Sequence, residues 1–384
     1  MEPSHNEGQS IVVFYGHCAR MSGAEIALLN TTSNMSRGRP IVVLGEDGPL
    51  HARLRGLGVE VHILPLVGDV RNASRSKIAF NTGLVSSVWK SLVYIRLLRV
   101  KLRSLGPDVI VSNSMKGHLL VAGTGLWART RFFCYVRDRV STDFMSRLGV
   151  LLIRLTLRIA PFGVLANSKS TMETVPKVRR GRASAIIPSP ILTPKYLATG
   201  SGCSHVHFAL VGRIAEWKGQ EFAIQAFANL VKTTPAKLTL IGGALFEDAA
   251  YLERLKSVIA DLGLSSNVHL TGHVNDVYAA LESVDAVIHT SIIPEPFGQV
   301  IVQAMAMGLP VLASGEGGPL ETITDGRDGL FFEPRDVQSL TDGMMRLVKD
   351  PVLRSRLGAA AVETARHYSP ENLVAKFEGF LLDS

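Results

Sequence analysis

The sequence predicts an α/β protein of two Rossmann-like domains, each a parallel sheet covered by helices, and three observations lead there. Short β-branched runs alternate with amphipathic helical segments almost throughout. The runs are apolar without the polar alternation of a half-exposed sheet. The alternation is broken once, near the middle, by a stretch rich in proline and glycine. Uninterrupted apolar strands separated by helices imply parallel sheets buried on both faces, and 384 residues exceed one ordinary core.

In chain order, the first series of strands is Ile11–Phe14, Pro40–Leu44, Val61–Leu64, Val109–Ser112, Phe132–Val136, Val164–Ala166 and Ala185–Ile187, with helix-like segments such as Glu25–Ser36 and Val88–Leu105 between them. Pro188-Ser-Pro-Ile-Leu-Thr-Pro194 and Thr199-Gly-Ser-Gly-Cys-Ser204 can continue neither periodicity and mark a hinge. The second series is Val206–Val211, Lys237–Ile241, Val268–Thr271, Ala286–His289 and Pro310–Ala313. The expected domains are 1–195 and 196–365, with a terminal helix in 366–384 packing back toward the first domain. Ligands of open α/β sheets bind outside the carboxyl ends of the strands, so a cleft between the domains is the expected site.

A composition of 46% hydrophobic and 19% charged residues excludes a disordered chain. Cys18, Cys134 and Cys203 are far apart and odd in number, which gives no disulfide framework and no zinc spacing, and a reducing cytoplasm is the expected compartment. The polar opening MEPSHNEGQS is not a secretory signal. Pro296–Gly315 is twenty residues without a charge, yet its two glutamines, its glycines and Pro310 read as a buried helix followed by a buried strand, not a membrane span. The net charge of +8 is unevenly placed: residues 1–195 hold 27 Lys and Arg against 11 Asp and Glu, or +16, which leaves 14 against 22, or −8, for the rest. Such a split suggests an anionic partner for the first half; a basic pI common to the whole proteome is the alternative.

Three strand-to-helix loops of the second half carry chemistry. In Phe208-Ala-Leu-Val-Gly-Arg-Ile-Ala-Glu-Trp-Lys-Gly-Gln220, Gly212 permits a tight exit, Arg213 can fork onto phosphate oxygens, and Lys218 adds a compact charge before the helix Gln220–Val231. The second loop, Ser291-Ile-Ile-Pro-Glu-Pro-Phe-Gly298, opens a helix whose free amides and dipole suit an anion. There Glu295 can accept from sugar hydroxyls or cap the helix, and Gln303, eight residues later, can face the same pocket or be a buried amide. In the third, Gly317-Gly318 can turn backbone amides toward an anion.

Arg213 with Lys218-Gly219, Glu295-Pro-Phe-Gly298, and Gly317-Gly318 with Glu321, in this order and spacing, resemble the family-4 retaining glycosyltransferases of the GT-B fold. Ser22-Gly23-Ala-Glu25 is similar to that family's glycine-rich first loop, and Leu165-Ala-Asn-Ser168 to the end of its first domain. The resemblance implies a nucleotide diphosphate sugar, UDP- or GDP-linked, as donor. Arg213 and Lys218 would neutralise the leaving diphosphate, aided by the amides of Phe297 and Gly298, while Glu295 holds donor-sugar hydroxyls. It further implies Gly23, Gly212, Gly272, Pro296, Gln299, Val300 and Gln303 around the donor, no cofactor and no metal.

The sequence departs from that family twice. Gln303 stands where a second glutamate is usual, and Val111-Ser-Asn-Ser114 with Lys116-Gly-His118 replaces a His-x-His. Ser114, Lys116, Arg137 and Asp138 are expected on the acceptor side, and His118 is either catalytic or a histidine on the helix surface. The first domain would receive the acceptor, a sugar or lipid-linked molecule. Its segments Trp89–Arg103 and Arg147–Arg158 combine bulky apolar residues with basic ones, so each can lie on an anionic membrane or be an ordinary helix covering a sheet. No nucleic-acid motif is present. The expectation is sugar transfer in cell-envelope glycolipid or polysaccharide assembly, in the cytoplasm or at the inner face of the membrane. A sugar-nucleotide epimerase and a catalytically silent partner protein are the competing readings.

Overall fold

The computed structural model describes residues 8–66, 83–177, 182–202, 205–245 and 248–384. Residues 1–7 of the opening segment and Cys203-Ser204 of the expected hinge lie outside them. The chain divides into two compact units, Met1–Pro190 with Pro370–Ser384, and Ile191–Ser369. The expected divisions at 195/196 and 365/366 thus fall at 190/191 and 369/370. The reason is local: the Tyr135 hydroxyl donates to the Ile187 carbonyl at 2.5 Å inside the first unit, whereas the Ile191 amide donates to the Tyr368 carbonyl at 2.9 Å and Ile191 is buried in the core of the second.

The first unit is built on seven strands: β1 Ser10–Gly16, β2 Gly38–Leu44, β3 Glu60–Ile63, β4 Val109–Ser112, β5 Arg131–Val136, β6 Gly163–Ala166 and β7 Ala183–Ile186. They pair in the order β3-β2-β1-β4-β5-β6-β7, and every pairing is parallel. Side chains alternate between faces along each strand. Val13, Tyr15, Ile110, Phe132 and Cys134 therefore meet the helices Gly83–Ser104, Met115–Gly123 and Arg147–Ile159 on one face, while Val12, Phe14, Val111, Phe133 and Tyr135 meet Gly23–Thr32 and Pro49–Gly56 on the other.

The last helix, Pro370–Leu382, covers that second face. Phe377 stacks on Phe14 with ring centroids 6.0 Å apart. The buried Glu378 accepts from the amides of Ser36, Arg37 and Gly38 at 3.1, 2.8 and 2.9 Å. Burying Phe377 contributes about 2 kcal/mol, and Glu378, itself buried, gives the three amides of the turn a shared acceptor.

The second unit holds β8 Val206–Val211, β9 Ala236–Ile241, β10 Val268–Gly272, β11 Ala286–His289, β12 Val311–Ser314 and β13 Leu330–Phe332, all parallel, in the order β10-β9-β8-β11-β12-β13. β13 was not among the strands expected from sequence. Its three residues are too short a run to signal alone, and they are strand because they complete the edge beside β12. Among the described residues no helix is long and apolar enough to cross a membrane.

Candidate donor site in the second unit

Strand order reverses direction between β8 and β11, which lie side by side, and such a switch point opens a crevice where the two connections leave on opposite faces of the sheet. β8 leads into 212–219 and β11 into 290–298, the two loops singled out in the sequence. They are stitched together. The Thr290 hydroxyl donates to the carbonyls of Lys218 and Gly219 at 3.0 and 3.2 Å, and the Ile292 amide donates to the Trp217 carbonyl at 2.9 Å. Gly219 has φ 70°, and a Cβ there would stand 2.1 Å from the Thr290 oxygen, so only glycine lets the loops meet.

This contact brings Lys218 Nζ to 2.7 Å from Glu295 Oε2. The same oxygen accepts from the Ser291 hydroxyl at 2.7 Å and lies 3.1 Å from His289 Nε2. Burial pushes the Glu295 carboxyl up, but the Lys218 charge and the His289 hydrogen bond outweigh it and hold the group well below the usual carboxylate range. Lys218 Nζ also sits 4.1 Å from the centroid of the Trp217 ring. Glu295 is therefore a fixed anion in a cluster, and not the helix cap that its position before Gly298 also allowed.

The cap is Gly298, with φ 84°, opening the helix Gln299–Ala306. Among the described residues no acceptor faces the amides of Phe297, Gly298, Gln299 or Val300. Four donors at a helix start, with the dipole behind them, can receive an anion. Gly317-Gly318 has a structural role that the sequence did not show. The Gly318 amide donates to the Glu295 carbonyl at 2.7 Å, and a Cβ on Gly318 would stand 2.6 Å from Phe297 Cα. These glycines let the third loop brace the second, and the Gly318 amide is spent in doing so.

The other expected donor residues divide. Arg213 is half-exposed, with Nε 3.7 Å from Asp248, and its carbonyl accepts from Gln220 Nε2 at 2.9 Å. A Cβ on Gly212 would meet the Lys218 stem at 3.6 Å, and Pro296 and Phe297 are buried, Phe297 with its ring 5.8 Å from that of Tyr368. Val300 packs on the core, and Gln299 Nε2 is buried without a partner. Gln303 is buried beside the Tyr278 hydroxyl, which donates to the Leu192 carbonyl at 2.5 Å. Gly272 is exposed at the end of β10, the sheet edge two strands from β8.

In the first unit the equivalent switch point lies between β1 and β4, and His17 Nδ1 bridges it to Ser114 Oγ at 2.8 Å. Ser114 also caps the helix Met115–Gly123, accepting from the Gly117 amide at 3.2 Å. Arg137, expected on the acceptor side, is instead buried. Its Nε donates to Asn113 at 2.7 Å, its Nη1 donates to Ser189 at 2.7 Å, and its guanidinium lies 3.9 Å from the Tyr135 ring centroid. Asn113 in turn donates to the Ala24 carbonyl at 3.1 Å, which fixes the Gly23 loop, where Ser22 donates to the buried Glu25. Lys116 and Asp138 are partly exposed.

His118 is no surface histidine. It is fully buried, with Nδ1 2.6 Å from Ser112 Oγ and Nε2 without a partner, and burial followed by the nearby His17 charge lowers its pKa to about 3. Sequence reasoning passed over His289, Ser291 and Asn113. A histidine closing the apolar run Ala286–His289 was the one available signal. No group of three or more His, Cys, Asp or Glu side chains able to hold a metal ion occurs among the described residues.

Residues 206–364 match the family model described as Glycosyl transferases group 1. An exopolysaccharide phosphotransferase of Streptomyces coelicolor is 30% identical over 302 residues, covering 77% of this chain and 31% of that protein. The lipopolysaccharide core biosynthesis glycosyltransferase LpsE of Rhizobium meliloti is 32% identical over 154 residues, covering 40% of this chain and 43% of that one. The chain thus spans less than half the length of these two curated relatives. Among solved structures, HepE of Anabaena in complex with UDP and glucose superposes with a TM-score of 0.84 at 22% identity, covering 98% of this chain and all of HepE. Residues 206–364 thus match the glycosyl transferases group 1 family, and the chain as a whole has the GT-B fold.

Proposed function

We propose that this chain is a retaining glycosyltransferase that moves a sugar from a nucleotide diphosphate sugar to an acceptor, in the assembly of cell-envelope polysaccharide or glycolipid on the cytoplasmic side of the membrane. The observation that carries this reading is the union of Lys218, Glu295 and a helix start with four unengaged amides on two stitched loops at the switch point. A diphosphate needs cations and N–H donors, and a sugar beside it needs a fixed hydroxyl acceptor. As the glycosidic C–O bond breaks, negative charge grows on the leaving phosphate. Lys218, Arg213 and the amides of Phe297 and Gly298 then stabilise the transition state more than the ground state. Glu295, kept ionised by its neighbours, accepts from donor-sugar hydroxyls. Retention follows if the acceptor attacks on the face that the phosphate leaves, with a phosphate oxygen taking the acceptor proton.

Arg213 and Lys218 supply the positive charge that a metal would otherwise bring, so the reaction needs no divalent ion. HepE was solved with UDP-glucose, which makes uridine donors the first to test and guanosine donors the second. The acceptor belongs to the first unit, with Ser114, Lys116 and Asp138 as its candidate residues.

The deciding measurement is release of nucleotide diphosphate from a panel of UDP- and GDP-sugars, with and without acceptor extracts and with chelator. Acceptor-dependent release that survives chelator is expected. Epimerised donor formed without acceptor would replace this reading with an isomerase, and a strict metal requirement would refute the role given to Arg213 and Lys218.

A further inference from the structure

The helix Arg147–Ile159 is apolar on its outer side as well as on the side that meets the sheet. Ile153 and Leu157 are its buried residues, and they anchor it on the sheet. On the opposite side Leu148, Leu151, Leu152, Leu155 and Ile159 are 47%, 62%, 40%, 51% and 48% exposed. At 100° per residue these five span one outward arc, and Arg147, Arg154 and Arg158, spaced i, i+7 and i+11, line a single flank of it. A solvated helix puts charge outward and leucine inward; here leucine points outward and arginine lies alongside.

The feature extends across the same face of the sheet. The helix Met115–Gly123 packs between this helix and Gly83–Ser104. On the latter, Trp89, Leu92 and Val100 are 68%, 55% and 62% exposed beside the exposed Arg96, Arg99 and Arg103. Neither helix contains an acidic residue.

We propose that this face docks on an anionic lipid surface, with Arg147–Ile159 lying in the membrane plane, its leucines among the acyl chains and its arginines at the headgroup phosphates. Charge decides the occupant. A second copy of the chain would set arginine against arginine, whereas anionic headgroups complement an edge that is only basic, and acyl chains take any apolar side chain without a shaped pocket. A helix of 13 residues is about 20 Å long, short of the hydrocarbon core, so it lies on the bilayer and does not cross it. The inference does not rest on sugar transfer.

The test is co-sedimentation of the full chain with vesicles of phosphatidylcholine alone or mixed with phosphatidylglycerol, across a salt series. Binding to the anionic vesicles alone, weakening as salt rises, is expected. Leu151→Ser with Leu155→Ser keeps every charge and should lower affinity by about tenfold or more. Arg154→Gln with Arg158→Gln should lower it by about tenfold. All four side chains are exposed, so unchanged melting temperatures will show that the variants fold. Arg213→Ala should bind vesicles as the parent does, which separates this result from any failure of catalysis. The proposal is overturned if the parent binds neither vesicle, if the leucine variant binds as tightly as the parent, or if the parent self-associates without lipid and the leucine substitutions dissolve that association.

Discussion

Lys218 Nζ lies 2.7 Å from Glu295 Oε2, a contact between residues 77 apart in sequence that exists because the loops after β8 and β11 are adjacent. Under the proposed function this pair joins the cation for the leaving phosphate to the anion for the sugar. Lys218→Ala should therefore remove both the phosphate charge and the partner that keeps Glu295 ionised. Turnover should fall by about 10²- to 10³-fold. Arg213→Ala, which leaves the Glu295 cluster intact, should reduce turnover without altering the response to pH. Steady-state kinetics of the two variants across pH will check this.

The Glu295 carboxyl is held below its ordinary range, so its folded pKa is lower than its unfolded one. Its contribution to stability is then complete above about pH 4.3, the unfolded value, and disappears as pH falls through the folded pKa. The stability difference between the protein and Glu295→Gln, measured by denaturant unfolding, should be constant from pH 7 to about pH 5 and shrink in stronger acid.

His118 gives a second, separate acid response. With a folded pKa of about 3 it stays neutral in the folded state, while the unfolded chain takes up a proton near pH 6.5. The unfolded state therefore binds more protons between these values, and stability falls as pH drops from about 6.5 toward 3. His118→Asn should flatten the dependence of melting temperature on pH across that window. An unchanged slope would show that His118 is solvated in solution.

Glu378 ties the terminal helix to the turn before β2 through three amides and the Ser36 hydroxyl. Glu378→Ala leaves those amides, the buried one of Gly38 among them, without this acceptor and should destabilise the first unit by about 1–3 kcal/mol. Chemical denaturation will read this directly. Glu378→Gln should recover part of the loss, because its one oxygen can still accept.

Much of this was legible in the order of the residues. Apolar runs alternating with helical periods specify two parallel sheets, since strands buried on both faces must be apolar throughout. The loops after Val211 and His289 stood out as candidate sites because glycine, cation and helix start are local features. The brace from Gly318 to Glu295 was not visible, because a glycine needed for an anion and one needed for close packing read alike. Arg137 and His118 were misplaced for a related reason. Periodicity locates a residue at a strand end or a helix start, but whether that point is open or buried depends on elements distant in sequence.

The sequence by itself determined the fold class, the two glycine-bearing strand-to-helix loops and the basic bias of the first half, since periodicity, glycine placement and charge are properties of neighbouring residues. Only the tertiary structure decided that Glu295 is locked by His289, Ser291 and Lys218, that Arg137 is a buried strut, and that Arg147–Ile159 shows its leucines to the outside. Each of these depends on which strands lie side by side and which helix face the sheet covers, and that is settled by packing between segments far apart in the chain.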